Sequence, residues 1–238
     1  MSLKIAIIGA TGRLGKAIAT LALQDPSFQI AAAITHSTSP HLNTPYGTLL
    51  NRPCNLPISA TRTHLPVDLF IDVSTAAALR ENLHTAVSHE KPIVIGTTGL
   101  SAKDLTLLDH ASQHIPLFYT PNFTLGMALL HKIAQHTASH FPNAHIDLIE
   151  THHVHKKDKP SASALSLAKA IAQPVNIHSL RSGAAIGEHT LLFNTPEERL
   201  TLSHTAHTRD AFARGALAAA LFLSRQPPGL YNMDNLLD

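Results

Sequence analysis

Residues Glu150 to Leu165 read ETHHVHKKDKPSASAL. Within eight of these positions, His152, His153, His155, Lys156, Lys157 and Lys159 surround a single acid, Asp158. Six groups that repel one another when charged need a reason to be neighbours. Three readings compete. The stretch is a solvated basic loop; or its histidines are metal ligands; or it receives an anionic substrate that must also be given a proton. A zinc site needs converging ligands, usually with cysteine or carboxylate support, and three lysines would repel a cation, so no metal is expected. The third reading draws on the chemistry of both residue types. Lysine brings charge and a donatable proton, and histidine carries a proton near neutral pH. The residues that follow fit it. Pro160 ends the loop and Ser161 is a natural N-cap for SASALSLAKAI, so the N–H groups of Ala162 and Ser163 would open a helix unsatisfied, facing a carboxylate.

A second chemical signal lies at the start of the chain. GATGRLG sets Gly9, Gly12 and Gly15 in a GxxGxxG pattern between an apolar strand (Lys4 to Ile8) and a helix (Arg13 to Gln24). In that context glycines let the backbone approach a pyrophosphate, which the helix N-terminus attracts. The alternative is a glycine turn without a ligand. An acid at the end of the second strand would hold the ribose hydroxyls of NAD. Thr35 and His36 stand there instead, which leaves NADPH open, with Arg13 and His36 available to a 2′-phosphate. GTTG (Gly96 to Gly99) and TPNF (Thr120 to Phe123) follow two further predicted strands, at the end of a parallel sheet where ligands sit.

The elements that must position these groups follow from the pattern. Strands at Lys4–Ile8, Phe28–Ile34, Val67–Thr75, 92–99 and 115–120 alternate with helices at Arg13–Gln24, Thr75–Glu90 and Ser101–Gln113. That alternation predicts a doubly wound parallel sheet. Residues His36 to Leu65 read as loop with little regular structure. After Asn122 the rhythm changes: a long helix (Thr124 to His140), the strand AHIDLIE, the basic loop, a helix from Ser161, then three strands in succession. The second part is therefore an α+β domain with a mixed sheet. Arg209 to Ser224 reads as an amphipathic helix returning to the first domain.

Composition removes several function classes. The 238 residues are 44% hydrophobic and 14% charged, with a net charge of +2. A real core can form, and no sequence-wide basic surface addresses nucleic acid. The single cysteine, Cys54, excludes an internal disulfide. The apolar run GALAAALFL falls short of the ~20 residues that span a bilayer, and the N-terminus has no secretory pattern. No membrane association and a cytoplasmic setting are the expectation.

The motifs GATGRLG, GTTG, PNFTLGM, ETHHVHKKDKPSASAL, RSGAAIGEH and HTRDAFARGALAAALFL…GLYNM occur in the order found in dihydrodipicolinate reductases. The chain resembles that family over nearly its whole length. The resemblance implies a Rossmann domain from residues 1–122 and 209–238, with residues 123–208 binding substrate and building a homotetramer. It implies NADPH or NADH as cofactor and reduction of a cyclic, unsaturated dicarboxylate on the diaminopimelate route to lysine. By matched position, His152 is implied as general acid/base and Lys156 as proton donor. His153 and the Ser161, Ala162 and Ser163 segment are implied as substrate contacts. Gly9, Ala10, Thr11, Gly12, Arg13 and Leu14, then Gly96, Thr97 and Thr98, then Thr120, Pro121, Asn122 and Phe123, are implied as cofactor loops. The chain departs from the family's usual KxDAPSGTA at Lys159, Ala162 and Ser163, lacks the acid after the second strand, and is short between Ala172 and Arg181. A non-enzymatic NAD(P)-binding sensor is the alternative. Such a protein could lose the His152/Lys156 pair, which this chain keeps.

Overall fold

Seven strands of the computed structural model, which describes residues 2–63 and 65–237, form one sheet in the order β11-β6-β5-β4-β1-β2-β3. They are β1 (Leu3–Ile8), β2 (Phe28–Ile34), β3 (Ile58–Ser59), β4 (Leu69–Asp72), β5 (Ile93–Ile95), β6 (Pro116–Tyr119) and β11 (Gly229–Tyr231). Every pairing is parallel. Apart from the β11 edge, the order is the 3-2-1-4-5-6 of a Rossmann fold, whose reversal point lies between β1 and β4. The central strands β1, β4 and β5 are short apolar runs buried on both faces, as parallel strands between helices must be. Ile5, Ile7, Leu69, Phe70, Ile93 and Leu117 are fully buried. Helices α1 (Arg13–Ala22), α3 (Leu79–Ser88) and α4 (Ala102–Ser112) connect strands. Ser101 caps α4 in a reciprocal capping box with Asp104. Met1 and Asp238, the outer bounds of the expected dinucleotide-binding domain, lie outside the described residues, as does His64.

Two readings of this region gain detail. The stretch His36 to Leu65, expected to hold little regular structure, contains the short α2 (Tyr46–Leu50) and β3. Both are too short to show a period in sequence, and α2 has no side-chain N-cap. The helix expected from Thr75 begins as a 3-10 turn (Ala76–Ala78) before α3.

A second compact unit spans Thr124–Ala211, while the other described residues, up to Phe123 and from Phe212 on, form the first. In the second unit, α5 (Leu125–His140) and α6 (Ala162–Ile171) accompany a sheet of order β10-β9-β7-β8. Its strands are β7 (His145–His152), β8 (Val175–Arg181), β9 (Glu188–Asn194) and β10 (Arg199–Thr205). β8 runs parallel to β7 because α6 provides the crossover; β9 and β10 are antiparallel. The sheet is thus mixed. Its inner face, with Ile146, Leu148, Leu191 and Phe193, packs with Met127, Ala134, Ala164 and Leu167 into a separate core. α7 (Asp210–Leu223) leads back to the first unit, where α8 (Met233–Leu237) follows β11.

Candidate functional site

Strand β7 runs two residues further than its apolar pattern suggests, and this decides the site. Side chains alternate across a strand, so Ile146, Leu148, Glu150 and His152 share the buried face. The face that begins as core ends in a carboxylate and an imidazole. His152, read from sequence as a loop residue, is therefore fixed on a strand. Its ring Nδ1 lies 3.0 Å from Glu150 Oε2, at ion-pair distance with the N–H direction off the line between them.

Glu150 is fully buried. Its Oε1 accepts the Ser161 backbone N–H at 3.1 Å and an Arg181 guanidinium N–H at 3.1 Å. Burial pushes this carboxyl up, but Ser161, Ser179 and Arg181 donate to it and together hold it below the ordinary range. Arg181 stands beside His152 in the β7–β8 register. It also donates to the carbonyls of Lys156 and Asp158, tying the basic loop to the sheet. On the other flank β9 sets His189 opposite Glu150. The His189 ring meets His152 edge-on at 5.3 Å. Burial and the neighbouring His152 push His189 down to about 4, so it is neutral at neutral pH.

The basic cluster divides. His152 is buried, His153 and Lys156 are half-buried, and His155, Lys157 and Lys159 are exposed. Lys156 Nζ pairs with Asp158 Oδ1 at 2.8 Å. Burial lowers the proton affinity of His152; Glu150 opposes that, and Lys156 and Arg181 add to it, leaving the ring below its ordinary range. Ser161 caps α6, its Oγ accepting the Ala164 N–H at 3.1 Å. One expectation is corrected here. The Ala162 N–H is not left open, because it faces the Asp158 carboxylate. Burial raises that carboxyl, and Lys156 with the Asp158 and Ala162 N–H groups outweighs burial and lowers it. An anion already sits where the sequence suggested a vacant carboxylate cradle.

Glu150, His152 and His189 bring ligand atoms within 4.8 Å of one another. The types suit a metal, but Arg181 already occupies one oxygen of Glu150 and Lys156 stands close, so the local charge opposes a cation.

In the first unit, the loop after β1 is packed so closely against its own backbone that two of its glycines have no room for a side chain. Gly9 has φ +84°, and a Cβ there would lie 2.7 Å from the Val73 carbonyl oxygen. A Cβ on Gly15 would lie 2.3 Å from the Gly9 carbonyl oxygen. Gly12 caps α1 without any side-chain hydrogen bond. The residues present fit a pyrophosphate: bare backbone, a helix N-terminus and no competing cap. Thr11 Oγ1 lies 3.0 Å from Thr35 Oγ1, while Arg13 and His36 are exposed. Gly96, Thr97 and Thr98 follow β5, and Thr120, Pro121, Asn122 and Phe123 follow β6, the strand beside it. A Cβ on Gly96 would lie 2.1 Å from the Phe123 ring, so the buried Phe123 supports the Gly96 turn. Thr120 Oγ1 donates to the Asn122 carbonyl at 2.8 Å.

Sequence reasoning missed several supports. Tyr46 on α2 is buried and donates to the Ala10 carbonyl at 2.7 Å, holding the glycine loop from below. Asp72, at the end of β4, is fully buried and accepts from Ser74 and Asn82. Burial pushes its carboxyl up. Glu150, Arg181 and His189 were missed as a group, although Arg181 and His189 bracket the RSGAAIGEH motif.

A Rossmann sheet with such a glycine turn, in a chain whose second unit gathers a buried histidine, a lysine and a capped helix, defines a dinucleotide-dependent oxidoreductase. Comparison with known proteins narrows the class. Residues 3–123 match the N-terminal and residues 126–237 the C-terminal family of dihydrodipicolinate reductase. The 4-hydroxy-tetrahydrodipicolinate reductase of Caldanaerobacter subterraneus subsp. tengcongensis is 33% identical, with 100% of this chain and 99% of the relative covered. That of Xanthomonas euvesicatoria pv. vesicatoria is 38% identical, with coverage of 99% and 98%. A dipicolinate-bound dihydrodipicolinate reductase from Paenisporosarcina sp. TG-14 shares the fold, with a TM-score of 0.81, 23% identity and 99% of each chain covered. The chain belongs to the dihydrodipicolinate reductase family.

Proposed function

We propose that Thr124–Ala211 carries the proton-transfer and substrate-binding groups of a 4-hydroxy-tetrahydrodipicolinate reductase. The chain reduces 4-hydroxy-tetrahydrodipicolinate to tetrahydrodipicolinate, on the diaminopimelate route to lysine. NADPH or NADH, when bound, supplies the hydride. Gly9 to Leu14, Gly96 to Thr98, and Thr120 to Phe123 are the loops that would hold it, with Arg13 and His36 near a 2′-phosphate.

The observation that carries the reading is the fixed His152. A buried imidazole between a carboxylate and two cations suits an acid/base group whose proton affinity answers to bound charge. Lys156 gives the proton to the atom made basic by reduction, and His152 acts beside it. His153, with the Ala162 and Ser163 N–H groups, holds substrate carboxylate. Asp158 now occupies Lys156 and Ala162, so an arriving substrate carboxylate exchanges with the Asp158 carboxylate there. Both Lys156 and Asp158 are partly exposed, and such a pair contributes only about 0–1 kcal/mol, which makes the exchange cheap.

The protein acts in the cytoplasm as a homotetramer. Among the described residues no helix is long and apolar enough to cross a membrane. The outer face of the second sheet presents Ile149, Leu180 and Leu192 around Asp147 and His178, and Leu180 is 51% exposed. That apolar face supports assembly through the sheet.

The test is oxidation of NADPH or NADH by the purified protein when the substrate is made in place by the preceding synthase. Substrate-dependent loss of absorbance at catalytic amounts of protein is expected. Cofactor binding with no turnover would instead favour the sensor.

A further inference from the structure

We propose that Glu150 is a positioning residue that fixes the tautomer of His152, keeping a proton on Nδ1 so that Nε2 is the atom offered to the substrate, and that Gly187 is kept bare to leave Nε2 room. The proposal rests on His152 being the acid/base group.

A neutral imidazole carries one N–H, and an ionised carboxylate can only accept. Glu150 Oε2 stands 3.0 Å from His152 Nδ1 with the N–H direction off the line between them, so its negative charge, rather than an aligned hydrogen bond, favours the proton on Nδ1. Glu150 cannot turn away, because Ser161 N–H and Arg181 both hold its other oxygen. One buried carboxylate thus sets the ring, the cap of α6 and, through Arg181, the basic loop. At the opposite end of the ring, a Cβ on Gly187 would lie 3.3 Å from Nε2 and 3.6 Å from Cδ2. Any side chain at 187 would cover the atom that must exchange a proton. His189, buried and edge-on, keeps the ring from swinging toward β9. In the cycle, Nε2 takes up a proton from solvent to give the imidazolium, passes that proton to the substrate side, and leaves the ring in the neutral Nδ1–H form. Glu150 stays ionised throughout, and one solvent proton is consumed per turnover.

The charged and titratable groups that face His152 are Glu150 on its own strand, Lys156 and Asp158 from the loop, Arg181 from β8 and His189 from β9. Glu150→Gln removes one negative charge and leaves Lys156 and Arg181 opposed only by Asp158. The limb of the pH profile that reports protonated His152 then moves to lower pH. The Gln oxygen must stay with Ser161 and Arg181, so its amide N–H₂ faces Nδ1 and inverts the tautomer.

Two measurements test this. The first is ¹⁵N NMR of the histidine-labelled native protein, with the His152 signals identified by their loss in His152→Asn. The Nδ1–H form is expected; an Nε2–H form in the native protein overturns the proposal, whether or not any Glu150 variant folds. The second is the pH profile of kcat/KM. Glu150→Gln should lose roughly 10–100-fold and shift the His152 limb downward, while Glu150→Asp, which keeps the charge, keeps the limb near its native position. NADPH affinity should stay unchanged in both. A limb that stays in place in Glu150→Gln, with activity merely reduced, would make Glu150 only structural. Full activity in His152→Asn would instead remove the acid/base reading itself, so the two failures are separable.

Discussion

Gly15→Ala adds one methyl group where the backbone leaves none. The new Cβ would stand 2.3 Å from the Gly9 carbonyl oxygen and 3.0 Å from Ala10 Cα. A carbon and a carbonyl oxygen need roughly 1 Å more than that, close to the ordinary contact distances of packed atoms. Neither partner is a flexible side-chain end. The loop cannot retreat, because Gly9 already packs against the Val73–Ser74 backbone on its far side, and Tyr46 holds Ala10. Helix α1 must therefore move. Overpacking of this kind costs about 1–3 kcal/mol, against a gain of up to ~1 kcal/mol from replacing a helical glycine. A net loss of about 1–2 kcal/mol corresponds to a Tm lower by about 2–8 °C in a protein of this size. The displaced turn also loses its fit to the pyrophosphate, and each 1.4 kcal/mol lost there is about tenfold in Kd. The assay is a fluorescence titration with NADPH beside a thermal melt. A Kd raised about tenfold and a depressed Tm are expected. Native values for both would refute the close-approach account of the glycine loop.

Three further outcomes are expected. With Thr35 and His36 after β2 and no carboxylate there, kcat/KM for NADPH should equal or exceed that for NADH; a strong NADH preference would count against this reading of the β2 end. Light scattering at micromolar concentration should give four times the 25.5 kDa chain mass, and Leu180→Asp, on the outer face of the second sheet, should lower it; a native protein that scatters as a monomer would refute assembly through that face. Tyr46→Phe removes a buried donor to the Ala10 carbonyl and should cost about 1–3 kcal/mol in urea unfolding, whereas an unchanged midpoint would mean the loop needs no support from α2.

What could be read from sequence was what depends on local pattern. The apolar run before GATGRLG, the strand–helix alternation and the change of rhythm after Asn122 each reflect a period or a turn within a few residues. Ser161 as an N-cap belongs with them. What escaped depends on pairing between distant segments. Arg181 reaches Glu150 only because β8 lies parallel to β7, 31 residues away in sequence. His189 faces Glu150 only through the antiparallel register of β9. The alternation of Ile146, Leu148, Glu150 and His152 was visible, yet the polar residues at its end resemble a loop until their buried partners are known. Tyr46 escaped for a different reason: five helical residues give no usable period. Asp158, read only as the lone acid among cations, turns out to hold the groups expected to hold substrate.

The most direct measurement for the account is the kcat of Lys156→Ala at saturating substrate, with Lys157→Ala measured beside it and NADPH binding followed separately. Lys156 faces Asp158 and lies near His152, whereas Lys157, one position on, is exposed. Loss of a proton donor should lower kcat by ~10²–10⁴ in Lys156→Ala, with NADPH affinity unchanged and Lys157→Ala close to native. A near-native kcat in Lys156→Ala would contradict the account and return ETHHVHKKDKPSASAL to a solvated basic loop.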